Sequence, residues 1–238
     1  MHKKIKLGIV GLGNLGKGAI VAIKQTQDME LVALFTRRDP KDLHLDEPNV
    51  KAVHISEATQ YKNEIDVMIL CGGSATDLPE QTPYFASMFN TVDSFDTHAK
   101  IPEFYQAVNE VATANNTTSI ISVGWDPGLF SINRVMADAV LPNGENYTFW
   151  GKGLSQGHSD AIRRVEGVKN GVQYTIPSED AMEQVRSGAN PELSTSDKHS
   201  RVCYIVAEEG FISEDELKRD APSYISPRTA EELRRDYL

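Results

Sequence analysis

The chain has 238 residues, a net charge of −10 at pH 7 and no Lys/Arg run longer than two residues. That balance argues against nucleic acid or a membrane surface as partner, since both call for a basic patch. Hydrophobic residues at 40% and charged residues at 24% describe a globular chain long enough for one large domain or two modest ones.

No stretch approaches the ~20 apolar residues of a membrane span. The start, MHKKIKLGIV, is basic but lacks a signal peptide's longer apolar core and small-residue cleavage site. A cytoplasmic protein is expected. Cys71 and Cys203 lie far apart and beside apolar runs, which reads as two free, buried thiols. The six histidines show no metal-ligand spacing, so no metal is expected.

Through residues 1–122 short apolar runs recur: IKLGIV, ELVALF, KAVHI, IDVMILC, TVDSF and SIISV. Their length and β-branched content suit buried parallel strands. Between them lie helical stretches such as NLGKGAIVAIKQ and IPEFYQAVNEVATAN. In the latter, Phe104, Val108, Val111 and Ala112 fall on one face. Such alternation predicts an α/β fold with a Rossmann-type, doubly wound parallel sheet.

The first turn is Gly11-Leu12-Gly13-Asn14-Leu15-Gly16, directly after a predicted strand and opening a predicted helix. A lone G-x-G-x-x-G marks any tight turn, but this context makes it a dinucleotide fingerprint. Gly11 permits the turn, Gly13 lets the backbone approach a pyrophosphate, and Gly16 lets helix and strand pack closely. Asn14 and Leu15 open the helix whose free N–H groups and positive dipole end face the anion. The plainer alternative is a βα turn with no ligand.

About twenty residues on, the second strand ends in Thr36, Arg37 and Arg38. An acid at that place hydrogen-bonds a free ribose 2′-hydroxyl, whereas arginine accommodates a 2′-phosphate. NADP is therefore expected over NAD. A solvated loop, or a free ribose served by Asp39, is the competing reading. After the fourth strand, Cys71, Gly72, Gly73, Ser74, Ala75 and Thr76 are small enough to leave room for a cofactor, and Pro79 can start a helix.

Further on stand TVDSFDTH (91–98), SVGWDPGLFSINR (122–134) and FWGKGLSQGHSDAIRR (149–164). With CGGSATDLPEQ (71–81), these strings resemble the meso-diaminopimelate D-dehydrogenase family, from residue 4 to about 209. The resemblance implies NADP-dependent oxidative deamination at the D-centre of meso-diaminopimelate, yielding L-2-amino-6-oxopimelate and ammonia, in bacterial lysine biosynthesis. It places Asp96 and Asp126 near the D-centre ammonium. It puts Trp125, Trp150, Gln156 and Gly157 along the substrate cleft, and Thr175 and Arg201 toward the distal carboxylate. It also implies a homodimer.

The chemistry agrees with these assignments. Two carboxylates beyond predicted strands can hold an ammonium and orient its C–H bond, and one can accept a proton. Arg201 starts the alternating run RVCYIVA, and a guanidinium fork grips a carboxylate with two bonds. Each residue also has a plainer reading. Asp126 precedes Pro127 and suits a turn or cap, and Asp96 suits a cap. Trp125 and Trp150 suit half-buried packing, Ser155-Gln156-Gly157 suits a helix start, and Arg201 suits a solvated strand end.

Residues 123–221 supply only three strand-like runs, NYTFWG, GVQYTI and RVCYIVA, and are expected to form a smaller α+β substrate and dimerisation domain. Residues 1–122 form the dinucleotide domain, to which 222–238, with a helix near 227–237, is expected to return. The active cleft is expected between the two. The resemblance breaks after VAEEG (206–210), where the family's histidine- and glycine-rich substrate loop is absent. That leaves two alternatives beside the full enzyme: an NADP(H)-binding form with impaired turnover, or a related D-amino acid dehydrogenase.

Overall fold

The computed structural model describes residues 3–43, 45 and 47–208; the expectations for 211–238 lie outside them. The chain divides into two compact units, Met1–Pro142 and Asn143–Leu238.

In the first unit the order is β1 (Ile5–Val10), α1 (Asn14–Lys24), β2 (Met29–Thr36), β3 (Lys51–His54), β4 (Val67–Leu70), α2 (Leu78–Ala86), β5 (Asn90–Asp93), α3 (Ile101–Asn115), β6 (Ser119–Ile120) and α4 (Leu129–Val140). Each of the six apolar runs contributes a strand. All five pairings are parallel, in the order β3-β2-β1-β4-β5-β6. This is the doubly wound arrangement, with its reversal of strand order between β1 and β4.

The apolar runs are continuous because both faces of the sheet are covered. The last four residues of β1 and of β2 are all buried. On α3 the expected face is the packed one: Phe104, Val108 and Ala112 are buried and Val111 lies at the margin of the core. Phe104 stacks on Phe95 with ring centroids 4.0 Å apart. The helix stops at Asn116, which takes a left-handed φ of 55°, and the Thr117 N–H turns back to the Ala112 carbonyl at 3.0 Å.

The second unit contains β7 (Gly153–Leu154), α5 (Gln156–Arg163), β8 (Val168–Pro177), α6 (Glu179–Arg186), α7 (Thr195–Lys198) and β9 (His199–Ala207). The strands form an antiparallel sheet in the order β7-β8-β9. A small core of Ile162, Val168, Cys203 and Ile205 packs α5 against this sheet.

One expected strand is different. NYTFWG (146–151) is not in the ladder, and pairing with β8 starts only at Gly153. Its polar groups are satisfied elsewhere: the Tyr147 hydroxyl donates to the Pro191 carbonyl at 2.7 Å, and the Trp150 N–H donates to His199 Nε2 at 2.7 Å.

Candidate active site

The carboxyl ends of β1, β2 and β4 are tied together. The Gly11 N–H donates to the Phe35 carbonyl and the Cys71 N–H to the Val10 carbonyl, both at 2.9 Å. Beside this edge the glycine turn has the shape its spacing implied. Gly11 has φ +96°, a conformation that L side chains rarely adopt. A Cβ on Gly16 would stand 2.1 Å from the Gly11 carbonyl oxygen, so only glycine lets α1 start this close.

A Cβ on Gly13 would meet nothing within 4 Å. That open space lies at the N-terminus of α1, whose first turn, with Asn14 and Leu15, holds no acidic residue. Backbone donors beside open space fit a phosphate.

Thr36 ends β2 buried, and its hydroxyl accepts from the Arg38 N–H at 3.0 Å. Arg37 and Arg38 emerge exposed. Asp39 is used locally, accepting the Lys41 N–H at 3.0 Å. Arg37 Nη1 lies 2.8 Å from Asp77 Oδ1, at the start of α2. Asp77 Oδ2 also accepts the Gly73 N–H at 2.8 Å, which stiffens the turn after β4. Burial pushes the Cys71 thiol up to about 12. Cys71 is thus a neutral packing group at neutral pH rather than a nucleophile.

Asp96 lies beyond β5, exposed. Its N–H donates to Ser74 Oγ at 2.8 Å, and Ser74 is also 3.5 Å from the Thr97 hydroxyl, which joins the β4 turn with Ala75 and Thr76 to the β5 loop. That loop is anchored by Asp93, a buried carboxylate that accepts from the Thr82 hydroxyl and from the N–H groups of Phe95 and Ser122. Asp93 sits inside the string TVDSFDTH, where a carboxylate within a buried strand is the sequence signal for such an anchor.

Asp126 stands near this loop, since His98 Nε2 is 3.2 Å from the Asp126 carbonyl oxygen. Its carboxylate is taken by Arg134: Nη1 donates to Oδ2 at 3.2 Å and Nη2 to Oδ1 at 2.5 Å. The hydrogen bond to Asp126 raises the pKa of Arg134 above the ordinary arginine value. Arg134 ends the string GWDPGLFSINR, and sequence alone does not mark it because its partner is eight residues away across a loop and the first turns of α4. Trp125 is 65% exposed, its ring tilted at 52° to that of Phe130 with centroids 5.8 Å apart.

In the second unit, Thr175 on β8 pairs directly with Arg201 on β9. Alternation places Thr175 on the face of Gln173, and Arg201 on that of Cys203 and Ile205, which is the side covered by α5. The start of α5 is fixed at the same end of the sheet, where the Ser155 N–H donates to the Gln173 carbonyl at 2.8 Å. Gly157, in the first turn of α5, is exposed with open space at its Cβ position. A helix N-terminus, a hydroxyl and a guanidinium are thus gathered on one face, a donor set for a carboxylate. The backbone of Gln156 belongs to that turn. Trp150 is 40% exposed, with its N–H on His199. His158 is engaged with Ser155, Nδ1 to Oγ at 2.6 Å.

Among the described residues no helix is long and apolar enough to cross a membrane.

Residues 124–227 match the profile of the family described as diaminopimelic acid dehydrogenase C-terminal domain. The meso-diaminopimelate D-dehydrogenase of Ureibacillus thermosphaericus is 59% identical over 91% of this chain and 74% of its own length. That of Lysinibacillus sphaericus is 63% identical over 87% of this chain and 63% of its own length. Among solved structures, the C. glutamicum DAP dehydrogenase in complex with DAP superposes with a TM-score of 0.88 at 41% identity, covering 99% of this chain and 74% of that one. An engineered D-amino acid dehydrogenase bound to NADP+ gives 0.84 at 39% identity, covering 99% and 75%. The chain spans 62–74% of the length of these two and two further curated relatives, less than two thirds for three of the four, and across that span it belongs to the meso-diaminopimelate D-dehydrogenase family.

Proposed function

We propose that the protein catalyses NADP-dependent oxidative deamination of the D-centre of meso-diaminopimelate. The observation that carries this reading is the 59% identity to a protein of that name over 91% of the chain. The phosphate-shaped glycine turn and the two arginines at the end of β2 support it. Gly11, Gly13, Asn14, Leu15 and Gly16 would hold the pyrophosphate, Thr36, Arg37 and Arg38 the 2′-phosphate, and the 71–76 turn the cofactor's nicotinamide side. Held by these residues, the cofactor would supply the acceptor for the hydride that leaves the substrate's α-carbon.

The chain's own residues bind and orient. Asp96 and Asp126 hold the D-centre ammonium, and one of them takes the proton lost as amine becomes imine; water then releases ammonia. Thr175, Arg201 and the first turn of α5 with Gln156 and Gly157 bind the distal carboxylate. Trp125 and Trp150 exclude water from the substrate. The assignment of Asp126 requires that its carboxylate serve the ammonium while Arg134 holds it from behind. We assign the enzyme to the cytoplasm, as a homodimer with its dinucleotide domain in residues 1–122 and substrate domain in 123–221.

The test is absorbance at 340 nm with NADP+ and meso-diaminopimelate. A rise that falls about 100-fold or more in Asp126→Ala is expected, the scale of a lost acid–base or orienting group. Full turnover by that variant sinks the role of Asp126. A second reading is an NADP(H)-binding protein without turnover. NADPH binding with no rise at 340 nm identifies it. Turnover confined to simpler D-amino acids identifies a related dehydrogenase instead.

A further inference from the structure

The ion pair between Arg37 and Asp77 joins the ends of β2 and β4, the two strands that flank β1. Arg37 therefore links the loop after β2 to the turn that leads from β4 into α2, and the glycine turn leaves the strand between them. The two partners differ in freedom. Asp77 is 15% exposed in its side chain, and its carboxylate and N–H are both bonded to Gly73, at 2.8 Å each. Arg37 is 68% exposed in its side chain and sits on a long flexible stem.

We propose that Asp77 is a specificity-determining residue: a fixed internal anion that competes with the cofactor's 2′-phosphate for Arg37. This rests on the NADP reading above. The chemistry is an exchange of anions on one guanidinium. Without cofactor, Arg37 is parked on a carboxylate whose position is set by the 73–77 turn. A 2′-phosphate, with more charge and three acceptor oxygens, draws Arg37 away or shares it, and either event costs the pair with Asp77. A free 2′-hydroxyl offers no such exchange and leaves the pair intact. Asp77 thus lowers the advantage of NADPH over NADH and eases release of the phosphorylated cofactor.

The test is Asp77→Asn, which removes the charge while its side-chain oxygen still accepts from Gly73. NADPH and NADH are titrated by nicotinamide fluorescence, with circular dichroism to verify the fold. An exposed pair of this kind makes the expected gain about two- to fivefold tighter NADPH binding, with NADH changed by less than twofold. Asp77→Ser, also uncharged and able to accept from Gly73, gives the same gain. In Arg37→Ala the gain from Asp77→Asn disappears, because there is no guanidinium left to release. Unchanged or weaker NADPH binding in folded Asp77→Asn and Asp77→Ser overturns the role of Asp77 while leaving a wild-type NADPH preference standing. Equal binding of NADPH and NADH by the wild type overturns the NADP reading and this inference with it.

Discussion

A methyl group on Gly16 would lie 2.1 Å from the Gly11 carbonyl oxygen, and that atom is backbone, so the clash has no cheap escape. Gly16→Ala must push α1 off the turn. We expect a loss of about 1–3 kcal/mol in stability, the range for overpacking a tight contact, and at least a tenfold loss of NADPH binding. A thermal melt followed by circular dichroism and a fluorescence titration check both; wild-type values would refute the packing role. At this scale the glycines were legible because a tight turn limits residue type absolutely. Arg134 and Asp77 were not. Any exposed Arg or Asp reads as solvated until the chain path shows what it faces, and both partners here are brought in by loops.

At the level of elements, β8 and β9 do what their alternation implied, and their register sets Thr175 opposite Arg201. NYTFWG failed as a strand although its composition suits one. Strand propensity records fit to a half-covered pleat, and this segment found bonds outside the ladder. Its anchor is His199, whose Nε2 accepts the Trp150 N–H. Burial, and then the charges of Lys198 and Arg201, lower the His199 pKa below its ordinary 6.5. The unfolded chain therefore takes up a proton before the folded one does as pH falls. The contribution of neutral His199 is fully present above about pH 6.5 and is lost as pH drops toward its lower folded value. An NMR titration should place the His199 midpoint below the ordinary histidine value of 6.5, and His199→Gln should flatten the stability profile below pH 6.5. A midpoint at or above 6.5 contradicts the geometry.

For the molecule as a whole, a ligand that binds only the folded chain raises its stability by mass action. At a hundredfold excess over Kd the gain is about 2.7 kcal/mol. For a chain of this size that corresponds to a rise in melting temperature of about 5–10 °C. NADPH at such a concentration should produce it, and NADH at the same concentration should produce less. Equal shifts would argue against a 2′-phosphate site.

The doubly wound parallel fold was readable from sequence alone, because parallel strands buried on both faces must be short apolar runs, here interleaved with helical stretches, whereas the strand order came from the structure. The glycine turn was readable for the same kind of reason: backbone geometry there excludes other residues. The partners of charged side chains were decided only by the tertiary structure. Asp126 on Arg134, Arg37 on Asp77 and Trp150 on His199 each join residues from separate elements. A salt bridge or hydrogen bond depends on distances of about 3 Å, and spacing along a chain does not determine these once a loop intervenes.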